Sequence, residues 1–300
     1  MPRIVSFLPS ATEIAYTIGA GADLVGRSHE CDFPAEVKAL PIVSKPALPI
    51  GEMTQQEIDT AVASHLASGR SLYEVDEKLL RELNPDVVFT QDLCQVCAPS
   101  GTELTQALKT LPAKPEVLYL TPRNLAEIEG NIRDVGRVVN RIVEADALIE
   151  RNHQRVRAVV EAVRGAPVTR VAFLEWTDPP FSPGHWVPEM IALAGGEDTN
   201  GRPSSDSVRL SWDDVVAASP HIVIVAPCGY GIAQAADAAR RIPSIPGARI
   251  FAVDANAYFA RPGPRVAEGI EVLAHVFHPD RFDWNHETMP FIELTAEPDK

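Results

Sequence analysis

Four cysteines occur in the 300 residues, Cys31, Cys94, Cys97 and Cys228, and each falls in a loop directly after a strand-like run. Cysteines that serve only as small hydrophobes belong inside strands and helices, so this placement is that of candidate metal ligands. The spacing Cys94-x-x-Cys97 suits two thiolates on one metal ion. With Cys31 earlier in the same half of the chain and Cys228 in the other half, four thiolates can hold zinc or an iron–sulfur cluster. A redox dithiol and plain loop packing are the competing readings. A zinc ribbon needs two Cys-x-x-Cys knuckles, and one is present. His29 offers a fifth ligand or a polar loop side chain. Glu175 and Trp176, at a strand end, suit polar and stacking contacts with a bound molecule, or ordinary packing. Asp213 and Asp214 follow Ser211 in the first turn of a helix, where they either stabilise the helix N-terminus or form part of an acidic docking surface.

The elements that must position these residues alternate between strand and helix. Strand-like runs lie at 3–8, 24–28, 42–44, 86–90 and 116–120, then at 169–175, 221–226 and 249–253, with a small hairpin arm at 71–75. Helical patterns fill most of the intervals, including 13–18, with Ser10 or Thr12 as N-cap, and 265–277. Between the two halves, residues 124–165 carry no strand pattern. There, Ala145, Leu148, Ile149, Val156, Val159, Val160 and Val163 recur at helical spacing. A helix over 142–165 would span roughly 36 Å at about 1.5 Å per residue, with Asn140 as a left-handed cap before it. The fold class is therefore α/β: two Rossmann-like lobes with parallel sheets, joined by a long backbone helix. The boundaries are an N-terminal lobe over 3–122, a helical linker over 123–166, a C-terminal lobe over 167–279 and a tail over 280–300. Ligands of parallel sheets bind at the carboxyl ends of the strands. That rule nominates the loops 9–13, 29–33, 91–97, 176–181, 227–230 and 254–261, which would line one cleft if the lobes face each other.

The net charge of -14 argues against a nucleic-acid partner. Hydrophobic content of 45% and charged content of 23% are ordinary for a globular chain. No apolar run approaches the ~20 residues of a membrane span, so no membrane insertion is expected. The chain opens on a strand-like run without a charged-then-apolar leader. Four cysteines are too few for a disulfide framework at this length. The expected location is cytoplasmic.

Four segments carry a resemblance: SFLPSATEIAYTIGAGADLVGRS, LNPDVVFTQ, SWDDVVAASPHIVIVAP and NAYFARPGPRVAEGIEVLAHVFHP. They are similar to the helical-backbone (class III) substrate-binding proteins of ABC importers, the cobalamin-binding branch in particular. The resemblance covers roughly residues 3–279 and implies two Rossmann-like lobes with a ligand in the cleft between them. Its partners would be a small molecule or metal chelate, with cobalamin as ligand, and an ABC permease. By matching position it nominates Pro9, Ser10, Thr12, Asp32, Phe33, Phe181, Tyr258, Phe259 and Arg261 as ligand-binding residues, alongside Glu175 and Trp176. It implies a macrocyclic group against Phe181 and Tyr258, with Arg261 meeting an acidic or amide substituent. The four cysteines and the long segment 46–73 depart from that family.

Two functions compete on these residues. One is a non-catalytic binding protein for a corrinoid or another metal chelate. The other is a cytoplasmic metalloprotein with a cysteine-ligated iron–sulfur cluster or zinc, redox-active or catalytic. Dinucleotide chemistry is disfavoured, since no Gly-x-Gly-x-x-Gly follows any strand. There is also no Gly-x-Ser-x-Gly elbow, phosphate-binding loop or His-Glu-x-x-His, and no catalytic residue is assigned.

Overall fold

The protein's structure, a computed structural model, describes residues 1–91 and 102–294. It divides into two compact units, Met1–Pro122 with Ala126–Glu150, and Arg123–Leu125 with Arg151–Lys300.

Unit 1 holds β1 (Ile4–Ser6), α1 (Pro9–Thr17), β2 (Leu24–Ser28), β3 (Ile42–Pro46), α2 (Gln55–Ala67), β4 (Tyr73–Val75), α3 (Glu77–Leu83), β5 (Val87–Thr90), α4 (Thr102–Lys109) and β6 (Glu116–Tyr119). The strands form one sheet in the order β4-β3-β2-β1-β5-β6. All pairs are parallel except β3–β4 at the edge. Strands β1 and β5 are buried along their whole length, as continuous apolar runs in the middle of a parallel sheet should be. Val5, Phe7, Val43, Leu80, Val88, Leu104 and Ala107 make the core on one side. Helix α1 begins earlier than its sequence suggests. Pro9 sits at its first position and Leu8 at the N-cap, with no side-chain cap. The proline ring already has a helical φ and lacks an N–H that would need a partner, so Ser10 and Thr12 lie inside the first turn. Helix α2 starts at a Thr54–Glu57 capping box.

Helices α5 (Leu125–Val138) and α6 (Ile142–Ala162) follow. Asn140, at φ 56°, turns the chain between them in the left-handed region. Their close approach depends on Gly136, where a Cβ would lie 2.6 Å from that of Ala145. The 21 residues of α6 run roughly 32 Å. Its buried residues fall in two groups, Ala145, Leu148 and Ile149 before the change of unit and Val159 after it.

Unit 2 holds β7 (Thr169–Leu174), β8 (Trp176–Thr177), β9 (Pro180–Phe181), α7 (Val187–Leu193), β10 (Gly196–Asp198), α8 (Trp212–Ala217), β11 (Ile222–Val225), α9 (Ile232–Ala239), β12 (Arg249–Val253), α10 (Ala255–Tyr258), α11 (Val266–Phe277) and β13 (Phe291–Leu294). The main sheet runs β10-β7-β11-β12-β13, parallel except for β13. Strand β13 lies in the segment that the sequence assigns to a tail. It pairs antiparallel with β12, Phe291 opposite Val253. Segment 176–181, expected as a loop, is the two-stranded hairpin β8–β9 across a cis Asp178–Pro179 bond. A short strand, β10, follows the Gly195 turn at φ 82°. Both β10 and β13 are edge strands without the continuous apolar run that marks a central parallel strand in the sequence. No helix among the described residues is long and apolar enough to cross a membrane.

Candidate ligand-binding site

In unit 1 the first turn of α1 and the loop after β2 close on a small polar core. The Thr12 hydroxyl donates to Cys31 Sγ at 3.1 Å, and Ser28 Oγ lies 3.3 Å from the same sulfur. Thr12 and Cys31 are both fully buried, and Ser10 is nearly so. Thr12, Ser28 and Cys31 are brought together, but as the inner support of the strand ends. Arg27, also buried, donates to the carbonyls of Leu40, Ser28, Cys31 and Lys38. It thereby holds the loop that presents Asp32, half-buried, and Phe33, exposed before the cis Pro34. His29 Nδ1 lies 3.1 Å from the Ser44 carbonyl oxygen, the position of a loop-bracing side chain.

In unit 2 the hairpin β8–β9 stands at the carboxyl end of β7. Trp176 and Phe181 are direct partners across it, so their side chains share one face. Tyr230, from the loop after β11, meets Trp176 edge-on with centroids 5.6 Å apart. The Arg209 guanidinium lies 5.6 Å above the Phe181 ring, and Arg209 also makes a backbone bridge to Phe181. Tyr230, Trp176, Phe181 and Arg209 thus form a row of three half-buried rings ended by a cation. Backbone bonds lock the loops beneath: Cys228 N–H to the Glu175 carbonyl at 3.0 Å, and Asn256 N–H to the Tyr230 carbonyl at 3.0 Å.

Glu175, beneath the hairpin, is electrostatically perturbed. Its Oε1 accepts from Gly184 N–H at 3.1 Å and its Oε2 from the Ser207 hydroxyl. Burial pushes its pKa up to about 7, helped by the nearby Asp198 and opposed by those two donors. Asp198, at the end of β10, is likewise raised by burial to about 7, while its oxygens accept from the N–H groups of Asn200 and Gly201. Outside this pair, His185 Nε2 and Arg123 both reach Asp206 Oδ1 at 3.2 Å. Burial holds the His185 pKa below its ordinary value.

The remaining nominated residues separate clearly. Tyr258 is half-buried under the Arg265 guanidinium, 5.8 Å from its ring. Burial, and then Glu268, raise its hydroxyl pKa. Phe259 is a core residue, edge-on to Phe173 at 5.3 Å, and its carbonyl accepts from the Trp186 indole. Arg261 is 5% exposed. Asp214 is engaged in a capping box with Ser211. Cys228 is exposed and Cys31 buried, while Cys94 and Cys97 lie outside the described residues. Among the described residues no group of three or more His, Cys, Asp or Glu is placed to hold a metal ion. Tyr230, Arg209, Ser207, Asp198 and Arg27 were not nominated by the sequence. Tyr230 alone had a signal, its place in a loop after a strand.

Residues 4–251 match the family model described as Periplasmic binding protein. The chain belongs to the periplasmic binding protein family. A vitamin B12-binding protein of Vibrio vulnificus (strain CMCP6) is 25% identical over 284 residues, 92% of this chain and 89% of its own. An ABC transporter substrate-binding lipoprotein of Bacillus subtilis (strain 168), YvrC, is 23% identical over 289 residues, 93% and 81% of the two chains. Among solved structures, a periplasmic heme binding protein from Pseudomonas aeruginosa superposes with a TM-score of 0.72 at 18% identity, covering 100% of both chains. The periplasmic vitamin B12 binding protein BtuF of Vibrio cholerae gives 0.65 at 19% identity, covering 93% of this chain and 97% of its own. These likenesses establish the chain's fold: α/β, with parallel sheets and a long connecting helix.

Proposed function

We propose that the protein binds a metal chelate of the corrinoid or porphyrin kind and presents it to an ABC permease. The observation that carries this reading is the row Tyr230, Trp176 and Phe181 at the carboxyl edge of the unit 2 sheet. Three partly exposed rings on a braced hairpin suit a large flat ligand better than a small polar one. Family membership supports the reading, as does the alignment of a vitamin B12-binding relative over most of both chains. Trp176 and Phe181 are the proposed stacking contacts, with Tyr230 beside them. A cysteine-ligated cluster or zinc centre gains no support among the described residues, and Cys31 is already enclosed by hydroxyls.

The test is co-elution of the purified protein with hemin or cyanocobalamin in gel filtration, followed by the absorbance of each probe. Retention of one probe at about one per chain is expected, and its loss in Trp176→Ala. Elution of the native protein free of both probes contradicts the proposal. The cytoplasmic location is proposed only as an alternative to delivery at a permease, and it rests on the cysteine usage. Recovery of the untagged chain from a periplasmic fraction overturns it.

A further inference from the structure

Glu175 joins three pieces of unit 2. Its backbone N–H donates to the Phe181 carbonyl at 3.1 Å, and its own carbonyl accepts from Cys228 N–H. Its carboxyl reaches sideways to Gly184 N–H and the Ser207 hydroxyl. Those two residues belong to segments that run beside each other. Ser182 N–H donates to the Val208 carbonyl at 2.9 Å, Leu210 N–H to the Pro180 carbonyl at 2.8 Å, and His185 N–H to the Ser205 carbonyl at 2.7 Å. The approach is tight, since a Cβ on Gly184 would lie 2.6 Å from the Ser207 nitrogen. Asp198 fastens the start of the same long loop through Asn200 and Gly201. The hairpin carrying Trp176 and Phe181 is therefore braced from behind by the loop over 199–210, and Glu175 is the side chain through which the brace is fixed.

Resting on the binding function proposed above, we infer that Glu175 is a positioning residue for the ligand. It acts through Ser207 and Gly184 on the placement of Trp176 and Phe181, and its carboxyl does not itself meet the ligand. Each oxygen of the carboxyl already accepts from a donor within the protein, one a backbone N–H and the other a hydroxyl, so the group is turned toward the brace. This differs from the ligand-contact role that the residue's place at a strand end suggests.

The two roles separate by substitution. Glutamine can keep both links, its oxygen accepting from Gly184 N–H and its amide donating to the Ser207 hydroxyl. The experiment titrates hemin and cyanocobalamin against the native protein and Glu175→Ala, Glu175→Gln, Ser207→Ala and Glu175→Ala/Ser207→Ala. The emission of Trp176 is taken in each unliganded protein as the difference from its Trp176→Phe counterpart. Glu175→Ala and Ser207→Ala are expected to weaken the bound probe by about tenfold, the loss of roughly one hydrogen bond's net worth, with Trp176 emission shifted to the red. Glu175→Gln should restore most of the affinity lost in Glu175→Ala, and the double variant should be no weaker than Glu175→Ala, because both substitutions cut the same link. The inference is overturned if Glu175→Gln loses as much affinity as Glu175→Ala, which is the result for a carboxylate on the ligand. It is also overturned if Ser207→Ala leaves affinity and emission unchanged. Failure of the native protein to bind either probe counts instead against the proposed function, and the emission of the unliganded variants then decides the positioning role alone.

Discussion

Glu175 and Asp198 end neighbouring strands with their carboxyls drawn out of water, and both titrate near neutrality. In an unfolded chain such groups lose their protons near pH ~4. Between there and about pH 7 the native state holds protons that the unfolded chain has released. Their contribution to stability is therefore complete at the acid end of that window and is lost as pH rises through it. The expected outcome is that the melting temperature of the native protein falls relative to Glu175→Gln/Asp198→Asn between about pH 5 and 7.5. A difference that stays constant with pH would show that neither carboxyl keeps a raised pKa. Cys31 teaches a different lesson. Its loop position reads as that of a ligand, but its sulfur accepts from Thr12 and lies beside Ser28 with no exposure. Replacing it by alanine leaves two buried hydroxyls short of a partner, at a cost of about 1–3 kcal/mol in urea unfolding. An unchanged midpoint would mean that the hydroxyls find other partners.

Individual elements were legible where a buried apolar run or a helical period marks them. The parallel strands β1, β5, β7 and β11 announce themselves as runs of Val, Ile, Leu and Phe, and α6 by its helical spacing. Asn140 is readable as a left-handed turn because few residues accept that conformation. The hairpin β8–β9 and the edge strands β10 and β13 lack such a buried apolar run and are held by pairing that no local pattern encodes. The same limit applies to the site. Trp176 and Phe181 stand out by their place after a strand, whereas the link from Glu175 to Ser207 joins residues 32 apart with no motif between them. Strand β13 gives a test at this scale. Ending the chain before Met289 would unpair the edge of β12 and remove the Arg249–Glu293 ion pair. That truncation should lower the melting temperature and promote aggregation through the bared edge. Glu293→Ala alone should cost less than ~1 kcal/mol, since the pair is solvent-exposed. Equal effects of the two changes would show that the strand itself adds little.

At the scale of the whole chain, two α/β units share one long helix, and α6 belongs to unit 1 up to Glu150 and to unit 2 from Arg151. In unit 2 its Arg155 binds Glu268 at 2.9 Å and Glu271 at 2.7 Å on α11. The final helix is thereby fixed to the connecting one by charge-assisted bonds. The alternation of elements about an all-helical middle segment made this plan visible in the sequence, and the family match agrees with it. The chemistry of the ligand was less visible, because it depends on side chains from separate loops, such as Tyr230 against Trp176. The central claim is that these rings receive a flat metal chelate. Its most direct test is quenching of tryptophan emission on titration with hemin and with cyanocobalamin, in the native protein and in Trp176→Ala/Tyr230→Ala. Saturable quenching by at least one probe, with a Kd of about 1 µM or tighter in the native protein and at least ~10-fold weaker in the double variant, is the predicted result. Quenching that never saturates, or that is the same in both proteins, would contradict it.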